Sequence, residues 1–296
     1  MNILITGAMG FIGRHLLEHL AGRHTLFAVA RQRELQNTPR GVHAVPQDLT
    51  KPLNSSRFPK RIDAVIHLAQ SDHYRDFPES AGDIIDVNVA STVRLLEYAR
   101  QAGAECFVAA STGGVYGYGS APFAETDPIN PPDFYSASRY ASEILIAPYQ
   151  QFFRTIIFRF FFVYGPGQRR MLIPTLLGRL LRGDALVIAG NPGPIINPIY
   201  VGDAIRCFEP ALALGTSGTF NIAGDEDVSI TELVRLLEIA SGNKARIENT
   251  EDGPAGNLVA DISRMKSILG TVSRTSLRKG LAEVAGEVSR PEEGER

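Results

Sequence analysis

The sequence predicts an α/β fold in which a doubly wound parallel sheet is combined with a small C-terminal α/β lobe. Short apolar runs rich in β-branched residues alternate with helical patterns over the first two thirds of the chain. A glycine-rich segment comes directly after the first apolar run. Beyond residue 161, glycine- and proline-rich loops surround the helices, and loops of this kind often contact substrates.

Six apolar runs predict the strands of the sheet. They are apolar at consecutive positions, which is typical of parallel strands that helices cover on both faces. The predicted strands are residues 2–6, 25–30, 42–45, 64–68, 106–110 and 155–161. After the first strand, Ile12, Leu16 and Leu20 share one face of a predicted helix. A later helix is expected to end at Gly103.

The segments that follow predict a smaller lobe. Residues 172–182 have helical periodicity, and Ser229 with Glu232 forms the capping-box pattern of a helix that stops near Gly242. We expect residues 1–165 and about 195–220 to form the larger domain, and residues about 166–194 and 221–286 to form the lobe. The charged residues 287–296 are expected to be a frayed tail.

The composition is that of a globular protein with no polyanionic partner. The 296 residues include 30 basic and 32 acidic side chains, so no net positive field would attract nucleic acid. No apolar run is long enough for a signal peptide or a membrane span, so we expect a cytoplasmic protein without a membrane partner. Cys106 and Cys207 lie far apart in apolar segments, which predicts neither a disulfide nor a thiolate metal site.

One short pattern raises the alternative of a zinc hydrolase. His15, Glu18 and His19 match H-x-x-E-H, which places two imidazoles on one helix face. The pattern lies in the helix after the glycine-rich segment, and an exposed helix edge explains it as well. We therefore predict no metal site, and zinc in the purified protein would contradict this prediction.

The glycine-rich segment, residues 6–13, predicts a pyrophosphate site in the larger domain. Gly7 permits a tight turn, Gly10 lets the backbone approach an anion, and Gly13 lets the helix pack close to the strand. The helix N-terminus at Phe11 and Ile12 offers backbone N–H groups and a partial positive charge to phosphates. The segment therefore indicates a dinucleotide cofactor.

The glycine spacing and the run Gly-Phe-Ile-Gly at residues 10–13 resemble the extended short-chain dehydrogenase/reductases, the NAD-dependent epimerase/dehydratase family. This resemblance implies a Rossmann-type fold, NADP or NAD as cofactor, and a small-molecule substrate that is a nucleotide-activated sugar. It also implies that Asp48 and Leu49 meet the adenine. Leu68 and Ala69, at the end of the fourth strand, are expected to line the cofactor site.

Arg31 bears on the choice between the two cofactors. A carboxylate at the end of the second strand would accept hydrogen bonds from an NAD ribose, whereas an arginine would bind a 2′-phosphate. This sequence has Arg31 at that position. We therefore expect NADP in preference to NAD, with an exposed arginine that binds no ligand as the alternative.

The catalytic residues that the resemblance implies are Thr112, Tyr135 and Arg139. In the family a tyrosine exchanges a proton with the substrate, a lysine one helical turn later favours the phenolate, and a Ser or Thr holds the reacting oxygen. Tyr135 and Arg139 are also expected to meet the cofactor. Arg139 replaces the lysine, and an arginine supplies charge but releases no proton at working pH. A cofactor-binding regulator with weakened chemistry is therefore the alternative to an enzyme.

Two glycines favour an NAD(P)-dependent epimerase or oxidoreductase. Gly113 and Gly114 stand where resembling 4,6-dehydratases carry an Asp-Glu pair, which disfavours dehydration. Phe162 takes the place of an asparagine that contacts the sugar-nucleotide in the family. The expected substrate contacts are Thr112, Gly113, Phe162 and Arg169.

Further departures from the family's pattern bear on the prediction of the substrate. The prediction of a partner chain rests on analogy with the family. Residues 253–257 lack the family's arginine for a diphosphate, which Arg169, Arg170 or Arg264 would replace. An apolar pocket for another carbonyl or alcohol substrate is the alternative. Members of the family often pair through two helices each, so residues 89–100 and 138–150 predict a homodimer.

Overall fold

The computed structural model describes residues 1–251 and 256–288, and the chain forms two compact units. The first, called the sheet unit, comprises Met1–Gly117, Pro128–Phe160 and Cys207–Phe220. The second, called the lobe unit, comprises Tyr118–Asp127, Phe161–Arg206 and Asn221–Arg296. Within the described ranges, no helix combines the length and the apolar character needed to cross a membrane.

Strands and helices alternate along the chain. The strands are β1 (Asn2–Thr6), β2 (Thr25–Ala30), β3 (Val42–Pro46), β4 (Ala64–His67), β5 (Cys106–Thr112), β6 (Arg154–Phe160), β7 (Val163–Tyr164), β8 (Ala185–Ala189), β9 (Ile195–Ile196), β10 (Ile199–Tyr200), β11 (Gly218–Ile222), β12 (Val228–Ser229) and β13 (Arg246–Thr250). The helices are α1 (Phe11–Leu20), α2 (Ala81–Ile84), α3 (Ser91–Gln101), α4 (Phe134–Ile146), α5 (Leu172–Arg182), α6 (Val201–Ile205), α7 (Phe208–Ala213), α8 (Ile230–Ser241), α9 (Ser263–Leu269) and α10 (Leu277–Val288).

Among the described residues, a seven-stranded sheet has the order β11-β6-β5-β4-β1-β2-β3. Every pairing from β3 to β6 is parallel. The strand order reverses between β1 and β4, and sheets of this kind bind ligands outside the carboxyl ends of the strands at such a reversal. The predicted fold class is confirmed, and all six predicted strands belong to this sheet.

Strand β3 departs from the prediction that each strand is covered on both faces. His43 and Ala44 are exposed, and Pro46 ends the strand. A proline has no N–H to donate to a neighbouring strand, so it is tolerated at the edge of a sheet. The prediction holds for β1, β4 and β5, which are almost entirely buried, and it is wrong for β3.

Helix α4 carries two of the predicted catalytic residues. The carboxylate of Asp133 caps the helix by accepting the backbone N–H of Ser136 at 2.7 Å. Tyr135 therefore lies in the first turn, and Arg139 lies one turn later on the same face. The helix ends two residues before Pro148, because a proline cannot continue a regular helix.

Helices α2 and α3 form one continuous helix through a π-helical turn at Ile85–Ala90. Such turns are frequent at functional sites. Asn88 in this turn is fully buried; its Oδ1 accepts from the Ser71 N–H at 3.0 Å, and its Nδ2 donates to Ser138 Oγ at 2.9 Å. The Ser142 hydroxyl donates to the Asn88 carbonyl at 2.8 Å. Asn88 thus ties the loop after β4 to α4.

An apolar cluster supports the strands that carry the site. Leu95 and Leu96 of α3 are fully buried and belong to one cluster with Leu4, Val65 and Phe107 of three central strands. Burying a side chain of this size contributes about 1.5–3 kcal/mol relative to leaving it exposed. The ends of β1, β4 and β5 therefore rest on a packed layer.

The lobe unit has the predicted helices, together with short strands that the sequence did not predict. Helix α5 spans residues 172–182, and α8 follows Ser229, whose Oγ accepts from the Glu232 N–H at 3.2 Å. Strand β13 pairs in parallel with β8, and its polar, exposed residues explain why the sequence does not predict it. Helix α10 includes Glu287 and Val288, whereas residues 289–296 of the predicted tail lie outside the described residues.

Candidate active site

The glycine-rich loop between β1 and α1 lies against the end of β4. Gly7 has a φ of +64°, and a Cβ there would be 2.7 Å from the Ala69 nitrogen. A Cβ on Gly13 would be 2.2 Å from the Gly7 carbonyl oxygen. Contacts this short exclude any side chain at either position. Glycine is therefore required at Gly7 and Gly13 by the packing of strand, loop and helix.

The N-terminus of α1 has the geometry of an anion site. Gly10 occupies the N-cap position, and no side chain hydrogen-bonds to the first turn. Phe11 and Ile12 begin the helix, where backbone N–H groups have no intrahelical acceptor. These N–H groups and the helix dipole suit a phosphate, so the loop fits the pyrophosphate of a dinucleotide.

His67 anchors the end of β4 beneath this loop. Thr6 Oγ1 lies 2.6 Å from His67 Nδ1, and Thr92 Oγ1 lies 3.0 Å from Nε2. The Thr92 hydroxyl donates to the Asn88 carbonyl at 2.6 Å, so it accepts from His67 Nε2–H, and Thr6 donates to Nδ1. Burial, together with the charge of Arg139, lowers the pKa of His67 to about 3. The buried imidazole is therefore neutral and structural.

Leu68 and Ala69 lie where the chain leaves β4. The Leu68 N–H donates to the Thr6 carbonyl at 3.1 Å, and the Ala69 N–H donates to Thr6 Oγ1 at 3.4 Å. These bonds hold the loop after β4 beside the loop after β1. Both predicted residues therefore lie at the reversal of the strand order, where a dinucleotide would lie.

Arg31 is paired with two carboxylates. Its Nε donates to Glu34 Oε1 at 2.6 Å, and its Nη2 donates to Asp72 Oδ2 at 2.7 Å. The backbone N–H of Arg31 donates to Glu34 Oε2 at 3.2 Å, so Glu34 folds back to the start of the loop. A carboxylate thus stands at the end of β2, where the sequence indicates only an arginine.

Asp48 and Leu49 follow β3 at the same end of the sheet. Asp48 Oδ1 accepts the backbone N–H of Thr50 at 3.0 Å and its hydroxyl at 2.8 Å. Burial raises the pKa of Asp48, but the bonds from Thr50 and nearby positive charges, Arg31 among them, leave the pKa below its usual range. The Leu49 carbonyl accepts from Arg94 Nη1 at 3.0 Å. Asp48 is therefore an anion close to Arg31.

Tyr135, Arg139 and Gln70 form a cluster at the carboxyl ends of β4 and β5. The Tyr135 hydroxyl lies 3.0 Å from Gln70 Oε1, and Arg139 Nη2 lies 3.3 Å from the same oxygen. The guanidinium carbon of Arg139 is 5.6 Å from the centroid of the half-buried Tyr135 ring. A phenol thus stands beside a cation, as proton transfer by a tyrosine requires.

The Arg139 side chain is 3% exposed and bridges two strand ends. Its Nη2 donates to the Ala69 carbonyl at 3.1 Å, and its Nη1 lies 3.5 Å from the Ala110 carbonyl. Its Nε has no hydrogen-bond partner in the part of the chain that the structure describes. Backbone carbonyls and the amide of Gln70, which are all neutral, therefore surround this positive charge.

Thr112 ends β5 beside the first turn of α4. Its Oγ1 accepts the backbone N–H of Gly114 at 3.1 Å, and Gly113 between them is buried. A Cβ on Gly114 would lie 3.4 Å from Thr112 Oγ1 and 2.7 Å from Ser136 Oγ. Ser136 follows Tyr135 in α4, so Thr112 lies beside the helical turn that carries Tyr135.

The histidines of the zinc pattern have other contacts. His19 Nε2 lies 3.1 Å from Glu209 Oε2, and the His15 ring packs edge-on against Phe11 at 5.4 Å between centroids. Across residues 1–251 and 256–288, no three histidine, cysteine, aspartate or glutamate side chains are placed to hold a metal ion. Nothing in these contacts favours a metal hydrolase.

The glycine loop, the strand order and the Tyr135 cluster lie within the part of the chain that matches a known family. The model of the NAD dependent epimerase/dehydratase family matches residues 3–223. The chain belongs to this family.

Relatives in the epimerase/dehydratase family are similar to the chain over nearly its whole length. An uncharacterized UDP-glucose epimerase of Bacillus subtilis, YtcB, is 29% identical and aligns over 100% of both chains. A dTDP-4-dehydro-6-deoxy-D-allose reductase of Streptomyces is 29% identical over 96% of this chain and 95% of the relative. The UDP-glucuronic acid 4-epimerase of Bacillus cereus, solved with UDP-glucuronic acid and NAD, has a TM-score of 0.88 at 27% identity, covering 97% and 99%.

A buried polar quartet that no sequence pattern predicted lies next to the predicted catalytic residues. Glu143 of α4 and Arg159 of β6 form an ion pair with 2.6 Å between Oε2 and Nη2. The Ser111 hydroxyl donates to Glu143, and Arg159 Nη1 lies 2.7 Å from the Tyr116 hydroxyl. One feature of the sequence could have predicted the quartet, namely Arg159 inside an apolar strand, because a buried charge requires a partner.

Phe162, which departs from the family's pattern, and Asn197 both make local contacts within the lobe unit. Phe162 has a φ of +43°, a conformation that asparagine adopts more easily than phenylalanine, and its ring packs on the lobe core. Asn197 Nδ2 donates to the Ala260 carbonyl and its Oδ1 accepts from the Ala260 N–H, both at 3.0 Å. Arg169 is exposed. Residues 252–255, within the segment that lacks the family's arginine, lie outside the described residues.

Proposed function

We propose that the protein is an NAD-dependent epimerase or oxidoreductase of nucleotide sugars. The observation that carries this proposal is the half-buried Tyr135, with Gln70 at 3.0 Å and the buried Arg139 beside its ring. The cluster lies at the carboxyl ends of β4 and β5, next to the reversal of strand order. Dinucleotides bind at that position in sheets of this topology.

The residues that would hold the cofactor lie along this edge of the sheet. The loop between β1 and α1 would hold the pyrophosphate, Asp48 and Leu49 the adenine, and Tyr135 with Arg139 the nicotinamide ribose. The chemistry that a bound nicotinamide supplies is reversible hydride transfer with a substrate C–H. Tight backbone packing at Gly7 and the uncapped start of α1 are the features that fit it.

We infer NAD as the cofactor in preference to NADP. Glu34 and Asp72 lie 2.6 and 2.7 Å from atoms of Arg31, so they compensate its charge and would repel a 2′-phosphate. Glu34 stands at the end of β2, where a carboxylate can accept hydrogen bonds from ribose hydroxyls. The Bacillus cereus relative was solved with NAD. The expectation of NADP from the sequence finds no support in these contacts.

The residues of the chain have separate tasks in the proton transfer. Tyr135 takes the proton of a substrate hydroxyl during oxidation and returns it during reduction. Thr112 holds the same oxygen by a hydrogen bond. Arg139 favours the phenolate by its charge and keeps its own protons throughout. The replacement of lysine by Arg139 thus preserves charge near the phenol, which favours an enzyme over a regulator.

The space around Gly114 argues against a dehydratase. A Cβ at this position would be 2.7 Å from Ser136 Oγ, so an acidic side chain requires Ser136 to move. Gly113 is buried as well. We therefore favour epimerisation or reduction of a nucleotide sugar, with Phe162 and Arg169 as proposed substrate contacts.

We further propose a homodimer through α3 and α4. Val93, Ile144 and Leu145 expose 39%, 55% and 39% of their surface on these two helices. Large apolar side chains in such numbers on adjacent helices favour a partner surface. Light scattering should give twice the 32.2 kDa of one chain.

Calorimetric titration with NAD and with NADP tests the cofactor. We expect NAD to bind at least about tenfold more tightly, a difference of about 1.4 kcal/mol. Glu34→Gln should reduce the preference for NAD over NADP, since it removes one of the charges that repel the 2′-phosphate. Tighter binding of NADP would overturn the cofactor proposal, and binding of neither would overturn the enzyme proposal.

Incubation with UDP-glucose or UDP-glucuronic acid and NAD, or with a dTDP-4-keto sugar and NADH, followed by NMR of the products, tests the reaction. Tyr135→Phe should reduce turnover by about 10²–10⁴-fold and weaken NAD binding only slightly, because it removes the transferred proton and one proposed contact with the nicotinamide ribose. Tyr149→Phe, away from the cluster, is the matched control and should turn over normally. Equal turnover in the two variants would remove Tyr135 from the mechanism.

A further inference from the structure

Gln70 lies between the two groups on which the proposed chemistry depends. Its Oε1 is 3.0 Å from the Tyr135 hydroxyl and 3.3 Å from Arg139 Nη2. Gln70 directly follows Ala69, whose carbonyl also accepts from Arg139 Nη2 at 3.1 Å. The end of β4 therefore positions the amide, and the amide links the phenol to the guanidinium.

The donors around Gln70 determine which atom of its amide faces them. A guanidinium only donates hydrogen bonds, so the atom next to Arg139 Nη2 is the amide oxygen. That oxygen only accepts, so the Tyr135 hydroxyl must donate its proton to it. The contact exists only while Tyr135 is a neutral phenol, because a phenolate and an amide oxygen are both acceptors. If the Gln70 amide were flipped, its NH₂ group would face Arg139 Nη2. Both groups are hydrogen-bond donors, so the contact would be lost.

We propose that Gln70 is a positioning residue that holds Tyr135 in its protonated form and so prepares the site to donate a proton to a carbonyl. This inference rests on the proposed function, in which Tyr135 exchanges a proton with the substrate. Arg139 acts in the opposite direction, since its charge favours the phenolate.

The other titratable groups around Tyr135 keep one charge state. The Tyr74 ring lies 5.1 Å from the Tyr135 ring, and the Arg75 guanidinium lies over Tyr74 at 5.1 Å. Burial raises the pKa of Tyr74, so this phenol stays neutral through the neutral range. His67 faces Arg139 from β4 and is neutral above its pKa of about 3. Gln70 and Arg139 are therefore the neighbours that favour one protonation state of Tyr135 over the other.

A titration of tyrosines labelled with ¹³C at Cζ tests this role in the intact protein. The chain has 9 tyrosines, and the Tyr135 signal is the one lost in Tyr135→Phe. In Gln70→Met, we expect the titration midpoint of Tyr135 to fall by about half to one pH unit, the effect of losing one hydrogen bond to the neutral form. In Gln70→Glu the midpoint should rise, because a carboxylate accepts from both partners and repels a phenolate.

Gln70→Met separates positioning from packing. The added charge of Gln70→Glu raises the midpoint whatever the role of Gln70, so Gln70→Met is the deciding variant. A midpoint that is unmoved or raised in Gln70→Met would overturn the inference. Gln101→Met, which changes an exposed glutamine of α3 that binds Glu97, should leave the midpoint unchanged. The titration needs no turnover, so absent activity on nucleotide sugars overturns the proposed function alone. Normal turnover with a midpoint unmoved in Gln70→Met overturns the role of Gln70 alone.

Discussion

Two buried arginines, Arg139 of α4 and Arg159 of β6, differ in what compensates their charge. Arg159 is 6% exposed and binds the Glu143 carboxylate through Nη2 and Nε, at 2.6 and 3.1 Å. Arg139 is 3% exposed and binds only carbonyl oxygens and an amide. Burial lowers the pKa of Arg159, but the bonds and charge of Glu143 outweigh this and raise the pKa.

The difference separates a structural charge from one that acts on its surroundings. The field of Arg159 is largely cancelled by Glu143, so the pair holds β6 to α4 and does little else. The field of Arg139 is uncancelled and reaches the Tyr135 ring and His67, whose pKa it helps to lower. An uncompensated buried charge lowers the stability of the fold. A protein retains such a charge when it serves function.

Breaking the compensated pair should have the largest effect on stability. Glu143→Gln leaves Arg159 buried without a carboxylate, and removing one partner of a buried ion pair typically costs about 3–5 kcal/mol. Urea unfolding should show this loss in the free energy of unfolding. A matched change in the exposed pair of Glu97 with Arg100, Glu97→Gln, should have little effect. Equal losses in the two variants would contradict the comparison.

Removing the uncompensated charge of Arg139 should reduce turnover without reducing stability. Arg139→Met takes away a buried cation, so the free energy of unfolding should stay level or rise by about 1 kcal/mol. Turnover should fall on the order of 100-fold, since the phenolate loses its stabilising charge. Steady-state kinetics checks the loss of turnover, and urea unfolding of the same preparation checks the free energy of unfolding.

Arg139→Lys sharpens this second prediction. Lysine keeps the charge but not the fork that spans the Ala69 and Ala110 carbonyls. Its turnover should lie between those of the wild type and Arg139→Met, at about one tenth of wild type. Turnover above that of the wild type would mean that the arginine is a weakened substitute for lysine.

The field of Arg139 also predicts how stability depends on pH, through His67. Its native pKa of about 3 lies below the ordinary value of 6.5, so between these values the unfolded chain binds a proton that the native state does not. Stability is therefore lost as pH falls below 6.5. His67→Gln keeps an acceptor for Thr6 and a donor for Thr92, and it should lose about 2 kcal/mol less than the wild type between pH 7 and pH 5. Parallel stability curves would contradict a neutral His67.

Local sequence patterns determined the sheet, the helix ends and the position of the glycine loop. Apolar runs, caps and glycines act over a few residues, so their consequences for β1, α1 or α8 can be derived without knowing the neighbours. The motif around Tyr135 likewise indicated the phenol, the cation and the strand end that supplies Thr112. These parts of the site were predictable because they are spaced along one strand or one helical turn.

The tertiary structure alone decided how each charge is compensated. Glu34 folds back onto Arg31 and Asp72 reaches it from a different loop, although only Arg31 stood out in the sequence. Gln70 carries no motif, and it meets Tyr135 and Arg139 only because β4 and β5 are adjacent in the sheet. Hydrogen bonds and ion pairs between residues tens of positions apart depend on strand order and on atoms within about 3 Å, neither of which a local pattern encodes.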